Sequence, residues 1–341
     1  MSDELKGSLR ERGVAAEEIE AAEAAGTLRL LAVEHLVLPG PPRYEGDEVA
    51  ARTGLPRELT QRFWRALGFP DVSEGEVAFT DADLEVVQTL ASMFERQVVR
   101  PEVALQITRV LASSAARLAE AQVEGLVEPT PDDDRRSFEL ESEALSTTPR
   151  FFDHVWRRQL QAAARRARYR AAPGGTAPVA VGFADLVGFT ALSSTLDDDE
   201  LADVVDRFTE LAYDRVATAG GRVVKTVGDE VMFTVDDVAA GAQLALGLVA
   251  AYADDHDLPD VRVGLAWGPA LSRDGDLYGP TVNLAARIVA IARPRSVVTG
   301  PEVHEALGEA SGLAWRALRP RRLKGIGRVT LWSLRREGAA P

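Results

Sequence analysis

The stretch RVVKTVGDEVMFTV, residues 222–235, constrains the fold of this chain more than any other. Two apolar arms, RVVKTV and EVMFTV, are separated by only Gly228 and Asp229. Arms rich in valine, with threonine and phenylalanine, around so short a Gly-Asp link predict a tight β-hairpin lying in a core sheet. A surface turn accounts for the Gly-Asp pair. It leaves Lys225 unexplained, because a charge four residues before Asp229 interrupts an arm suited to burial.

The segments around the hairpin supply the rest of a sheet. VAVGFA (179–184) reads as a short buried strand, and LADVVDRFTELAYDRVATAG (201–220) as a helix ending at Gly220–Gly221. After the hairpin come a helix over 238–254, a strand VRVGLAWG (261–268) and a helix TVNLAARIVAIA (281–292). SVVTG (296–300) and RVTLWSL (328–334) are two further strands. The order βαββαβ with additions predicts an α+β domain, with a mixed sheet and its helices packed on one face, as in ferredoxin-like folds.

Upstream of this domain the period is different. Residues 1 to about 125 read as helical throughout. EVAARTGLPRELTQRFWRALGFPD (48–71) has a helix–turn–helix pattern with Gly54 at the turn, and Thr80 with Asp83 has capping-box spacing. A further helix begins at Pro101. Composition then shifts: EPTPDDDRRSFELESE (128–143) is acidic and proline-bearing, as in a solvated linker. The helix expected over 149–170 places Phe152, Val155, Trp156, Gln159, Leu160 and Ala163 on one face, with seven arginines and one aspartate elsewhere. A second break, AAPGGTAP (171–178), follows it. The expected division is therefore an all-α domain over 1–127, a linker and Arg-rich helix over 128–178, an α+β domain over 179–335 and a tail over 336–341.

Composition narrows the function classes. A formal charge of −14 argues against nucleic acid as a partner, because an acidic surface repels a phosphate backbone. It leaves room for an anionic nucleotide held through divalent cations. With no cysteine, disulfides, thiolate metal sites and thiol catalysis are excluded. The opening MSDELKGSLRERG lacks the apolar core of a secretory signal, and VAAGAQLALGLVAAYA (238–253) is too short to span a bilayer. A cytosolic protein without a membrane span is the expectation.

Two acids then draw attention. Asp185 falls just past the expected end of the first strand, in FADLVGFTALS, and Asp229 at the tip of the hairpin. Neighbouring strands would bring both carboxylates to one sheet edge, where they repel unless a proton or a divalent cation lies between them. Mg²⁺ suits such a pair, since it takes one or two carboxylates together with substrate phosphates. Leu186–Thr190 turns from strand to helix beside them, so its free amides offer an anion site. Taken singly, each acid is also at home as an ordinary turn residue. Their company, with Lys225 and the element DLYGPTVNLAAR, favours a site.

FADLVGFT, KTVGDEVMF and DLYGPTVNLAAR, in this order, resemble the catalytic domain of class III adenylyl cyclases over about residues 175–335. The resemblance implies that Asp185 and Asp229 bind two divalent cations, Mg²⁺ or Mn²⁺, with help from the Leu186 carbonyl. Amides near Phe189 and Thr190 would cradle phosphates. Lys225 and Asp276 match the pair that reads adenine. Asn283 matches the residue that orients the ribose, and Arg287 the one that stabilises charge on the α-phosphate. Lys324, in LKGIG, resembles the lysine that reaches the terminal phosphates, and RRLKGIGR offers other basic candidates for that contact.

These residue types suit the chemistry implied. A lysine donates to adenine N1 and an aspartate accepts from the 6-amino group, whereas guanine presents the opposite polarity, so ATP is expected over GTP. An arginine fork matches charge developing on a phosphoryl group better than lysine does. In the family the metal aspartates and the adenine and transition-state residues of one site come from different subunits. This chain carries both sets, which implies a head-to-tail homodimer with two equivalent sites.

The N-terminal half resembles the helical regulatory domain that precedes some actinobacterial-type cyclase domains. It implies autoinhibition through the Arg-rich helix, answering to a small ligand or to a proton. His154 lies on that helix, and imidazole titrates near neutrality. An apolar ligand pocket is compatible with the Leu/Phe/Val content of this half. A rival reading takes 48–71 as a DNA-binding helix–turn–helix with Arg57, Arg62 and Arg65 on its second helix. Phe63, Trp64 and Leu67 on the same helix argue for packing instead. Two classes of function therefore stand against each other: an ATP-cyclising enzyme, and a catalytically silent nucleotide-sensing or DNA-binding regulator that uses the fold for dimerisation. The intact set of catalytic positions favours the enzyme.

Overall fold

The computed structural model describes residues 2–38, 40–127, 134–170, 177–308 and 312–338. They form two compact units, Met1–Gln159 and Leu160–Pro341.

In the first unit, α1 (Ser2–Glu11), α2 (Ala16–Ala24) and α3 (Leu28–Leu36) close around Leu9, Ile19 and Leu31. β1 (Tyr44–Glu45) leads into α4 (Gly46–Thr53) and α5 (Arg57–Ala66), and β2 (Val77–Phe79) into α6 (Asp81–Glu95). α7 (Pro101–Val127) and α8 (Asp134–Arg170) complete it. Gly54 ends α4 with a φ of 70°, the left-handed cap that glycine adopts without Cβ strain. At the start of α6 the Thr80 hydroxyl accepts from the Asp83 amide, and the Asp83 carboxylate accepts from the Thr80 amide.

The expectation of an all-helical first unit needs one correction. β1 and β2 pair antiparallel, Tyr44 opposite Phe79. The chain entering α4 and the chain entering α6 run side by side, because Phe79 packs with Val49 and Leu84 in one core. Their backbones then satisfy one another, as in the 2.8 Å bond from Arg43 N–H to the Phe79 carbonyl. The acidic stretch expected as a linker is helical from Asp134 onward. Residues 128–133 and 171–176, which include parts of both expected breaks, lie outside the described residues.

α5 is a packing element. Phe63 is buried, and the Trp64 indole donates to the Pro70 carbonyl at 2.7 Å. Arg57 pairs with Asp47, and Arg65 makes a two-pronged pair with Asp71 at 2.6 and 2.7 Å. Two of the three arginines that a DNA-reading helix would use are thus already held by carboxylates.

The second unit opens with β3 (Val179–Leu186), α9 (Phe189–Leu192) and α10 (Asp198–Thr218). The hairpin follows as β4 (Arg222–Val227) and β5 (Glu230–Val235), then α11 (Val238–Asp254) and β6 (Val261–Gly268). A small ribbon, β7 (Leu271–Arg273) with β8 (Asp276–Tyr278), precedes α12 (Pro280–Val289). The chain continues through β9 (Val297–Thr299), α13 (Pro301–Leu307), β10 (Leu313–Ala317), β11 (Arg321–Leu323), β12 (Gly327–Val329) and β13 (Trp332–Arg336). Seven strands make one sheet in the order β10-β13-β9-β6-β3-β5-β4, parallel only between β6 and β9.

The helices cover both faces of this sheet, not one. Val179, Val181 and Phe183 of β3 share a core with Leu284, Ala285 and Ile288 of α12. The alternate residues Ala180, Ala184 and Leu186 share another with Phe208 of α10, Leu248 of α11 and Val303 of α13. Successive strand residues point to opposite faces, so an uninterrupted apolar strand requires cover on both. Gly264 on β6 lets α12 settle close. A Cβ there would stand 2.7 Å from the Ala285 carbonyl and closer still to the Val289 backbone.

Candidate active site

The central strands bring three acids and one arginine to a single end of the sheet. Asp185 is the penultimate residue of β3, inside the strand and not beyond it. Its ladder partners are Glu230 on β5 and Arg262 on β6. The Arg262 Nε donates to Asp185 Oδ2 at 2.6 Å in a partly buried pair. Asp229 sits in the two-residue turn, and its carbonyl accepts from the Leu186 amide at 3.0 Å. Burial pushes the Asp229 carboxyl above the usual range, with Asp185 adding to it and Arg262 opposing. Glu230 is pushed up to about 7, first by burial and then by Asp185 and Asp229.

A second group forms on the outer strand of the hairpin. Lys225 of β4 donates to Asp276 Oδ2 at 2.6 Å, while the Leu277 amide donates to Oδ1 at 2.7 Å. Arg222 donates to the Gly275 carbonyl at 3.1 Å, so the edge strand is tied to the β7–β8 ribbon at two points. Lys225 therefore interrupts its arm because a carboxylate from a distant part of the chain comes to meet it.

Asn283 and Arg287 stand one turn apart on the exposed side of α12, with Leu284, Ala285 and Ile288 buried beneath them. Neither side chain makes a hydrogen bond or ion pair with any described residue. α9 begins after Gly188, whose φ is 78°, and the Phe189 and Thr190 amides have no acceptor among the described residues. Lys324 lies exposed in the link between β11 and β12. The structure thus joins Asp185, Leu186 and Asp229, and joins Lys225 with Asp276. No hydrogen bond or ion pair among the described residues connects either group to Asn283, Arg287 or Lys324.

Residues 173–336 match the family described as the adenylate and guanylate cyclase catalytic domain, and residues 2–140 match the adenylate cyclase regulatory domain. An adenylate cyclase of Streptomyces coelicolor is 38% identical over 286 residues, which covers 81% of this chain and 75% of the relative. The chain belongs to the class III adenylate cyclase family. An adenylate cyclase of Glutamicibacter nicotianae is 33% identical over 326 residues, 89% of this chain and 81% of the relative. A protein of Mycobacterium tuberculosis named a pH-sensitive adenylate cyclase is 34% identical over 348 residues, 96% and 86% of the two chains. As a family member the chain is an enzyme of the adenylate cyclase class, a phosphorus–oxygen lyase. No helix among the described residues is long and apolar enough to cross a membrane.

The metal carboxylates expected of a class III cyclase fit a hard divalent cation. Asp185 lies near enough to Asp229 to help raise its carboxyl, and both offer only oxygen. Among the described residues no group of three or more His, Cys, Asp or Glu is placed so that it could hold a metal ion on its own. A pair of carboxylates suits Mg²⁺, which usually takes one or two protein carboxylates together with substrate phosphates. Two charged residues beside Asp185, Arg262 and Glu230, were not singled out in the sequence. Arg262 is the single charge in VRVGLAWG, and Glu230 follows Asp229 directly. A lone arginine in an otherwise apolar strand was the available signal.

Proposed function

We propose that this chain converts ATP to 3′,5′-cyclic AMP and pyrophosphate in a head-to-tail homodimer, under the control of its helical N-terminal unit. The observation that carries the reading is the Lys225–Asp276 pair, a donor and an acceptor held side by side at 2.6 Å in a cyclase domain. Lys225 donates to adenine N1 and Asp276 accepts from the 6-amino group. Asn283 orients the ribose, and the Arg287 fork meets the charge that develops on the α-phosphate. The Phe189 and Thr190 amides and Lys324 hold the phosphates.

Asp185 and Asp229, with the Leu186 carbonyl, would hold two divalent cations, Mg²⁺ or Mn²⁺. When bound, these cations would lower the pKa of the ribose 3′-hydroxyl and neutralise the triphosphate. Arg262 balances the acids at the strand end, where three carboxylates otherwise repel. Asn283 and Arg287 stand exposed and unengaged on α12, which supports their use by a site completed with the metal carboxylates of a second copy.

For control, the first unit offers a cavity of about 610 Å³ lined largely by apolar side chains, among them Phe63, Trp64, Leu90, Ile107 and Leu111. A small apolar ligand there, or a proton taken up by this unit, would relieve restraint of the catalytic unit. The name of the mycobacterial relative supports a response to protons. The test is an assay of the purified chain with ATP or GTP and with Mg²⁺ or Mn²⁺ across about pH 5.5–8, where histidine titrates. Cyclic AMP should form, and Asp185→Asn or Asp229→Asn should abolish it. No cyclic product under any of these conditions overturns the reading.

A further inference from the structure

Arg222 and Lys225 are three residues apart on β4, a spacing that regular strand alternation sends to opposite faces of a sheet. The ladder departs from that rule here. Val223 pairs with Phe233 and Lys225 with Met232, so Val224 is an extra residue set against β5. A bulge of this kind shifts the alternation by one and re-aims the side chains beyond it. Arg222 lies opposite Thr234 and Lys225 opposite Met232, and those two β5 residues share one face. It is the face that α12 covers, since Met232 packs with Leu284 and Ile288.

The β7–β8 ribbon stands on this face as well, because Leu277 is buried in the same core. Two strands alone are marginal in water, so what holds the ribbon decides where it sits. Leu277 pins its middle. Its turn, Asp274–Gly275, is exposed and has positive φ at both residues, 56° and 81°. The Arg222 guanidinium supplies the hold at that end, donating to the Gly275 carbonyl at 3.1 Å. Asp276 lies between the two fixed points. Its Oδ1 accepts from the Leu277 amide, and its Oδ2 from Lys225. Without Arg222 the turn is free to swing about Leu277 and to carry the Asp276 carboxylate with it.

We propose that Arg222 is a positioning residue for base selection. The bulge sets it beside Lys225, and its bond to the ribbon turn fixes where Asp276 presents its carboxylate to a purine edge. The inference rests on the proposed adenine-reading role of Lys225 and Asp276, and adds that their geometry is set from outside the pair. Arg222 acts through Asp276 and touches neither base nor phosphate.

The experiment is competition binding of the α,β-methylene analogues of ATP and GTP, which cannot be cyclised, to the full chain with Mg²⁺. It compares the wild type with Arg222→Gln, Arg222→Lys, Asp276→Ala and Arg222→Gln/Asp276→Ala, and thermal melting checks that each is folded. The glutamine side chain stops short of the carbonyl, so the adenine-to-guanine affinity ratio should fall about tenfold, the scale of a hydrogen bond from a charged donor. Lysine still donates to a carbonyl and should keep most of the ratio. With Asp276→Ala already in place, Arg222→Gln should change the ratio no further. In turnover the ratio of kcat/KM for ATP to that for GTP should follow the binding ratio. An unchanged ratio in Arg222→Gln overturns the proposal, and so does an undiminished loss in the Asp276→Ala background. If the glutamine variant does not fold, the lysine variant carries the test, and a tenfold loss of ratio there overturns the proposal. Because binding is read without turnover, the two readings fail separately. A chain with these binding ratios that makes no cyclic AMP refutes only the cyclase reading.

Discussion

Lys225 and Asp276 are 51 residues apart in sequence, yet the ammonium group lies 2.6 Å from the carboxylate. In the proposed reading this pair faces the purine edge, with donor and acceptor in adenine order. Reversing that polarity should reverse the preference. In Lys225→Glu/Asp276→Ser, the glutamate would accept from guanine N1 and the serine would donate to O6. The ratio of kcat/KM for ATP to that for GTP should fall by about 100-fold or more, since a site built to hydrogen-bond one edge leaves polar groups unpaired against another. An unchanged ratio would remove both residues from base reading.

Among the described residues no hydrogen bond or ion pair joins Asp185 or Asp229 to Asn283 or Arg287, and the proposed shared site makes that a statement about assembly. Asp185→Ala and Asn283→Ala should each be nearly inactive alone. Mixed in equal amounts, half the dimers are mixed, and each of those keeps one intact site of two. Recovery of about a quarter of wild-type activity is the expectation for exchanging symmetric dimers. Failure to recover after exchange has been verified by labelled-chain mixing would exclude the shared site.

The hairpin was legible because its period, its turn chemistry and its composition agree locally, and no other element disputes them. The paired acids were legible for the same reason, since each lies where a strand ends. Arg262 was not, although its charge is conspicuous in VRVGLAWG. Its role depends on β6 lying beside β3 in a register that sets it against Asp185, and a register of that kind is decided by tertiary packing. Cover on both faces of the sheet was within reach, because VAVGFA shows no polar alternation. The β1–β2 ribbon was beyond reach: two and three residues carry too little pattern, and only the packing of Phe79 brings them together.

Glu230 gives the metal-free protein a pH signature. Its carboxyl ionises at about 7 in the folded chain, against an ordinary 4.5. A group raised in this way contributes stability that is fully present below the unfolded value and is lost as pH rises through the folded one. With chelator present, the melting temperature should therefore fall between about pH 4.5 and 7 relative to Glu230→Gln, which keeps the shape without the proton. Parallel curves for the two proteins across that window would show that burial of Glu230 carries no such cost.

The close approach of α12 to β6 sets where Asn283 and Arg287 stand, and glycine permits it. A methyl group at position 264 would press on the Ala285 carbonyl and the Val289 backbone, neither of which can yield without moving the helix. Gly264→Ala should cost about 1–3 kcal/mol in denaturant unfolding, the range for overpacked cores. Activity should fall further than stability explains, because the displaced helix carries Asn283 and Arg287, to which the proposed function assigns the ribose and the α-phosphate. Gly247, within α11, provides the opposite case: a Cβ there meets nothing within 4 Å. Gly247→Ala should stabilise by about 0.5–1 kcal/mol through helix propensity alone. If the two substitutions move stability in the same direction, close approach is not what Gly264 provides.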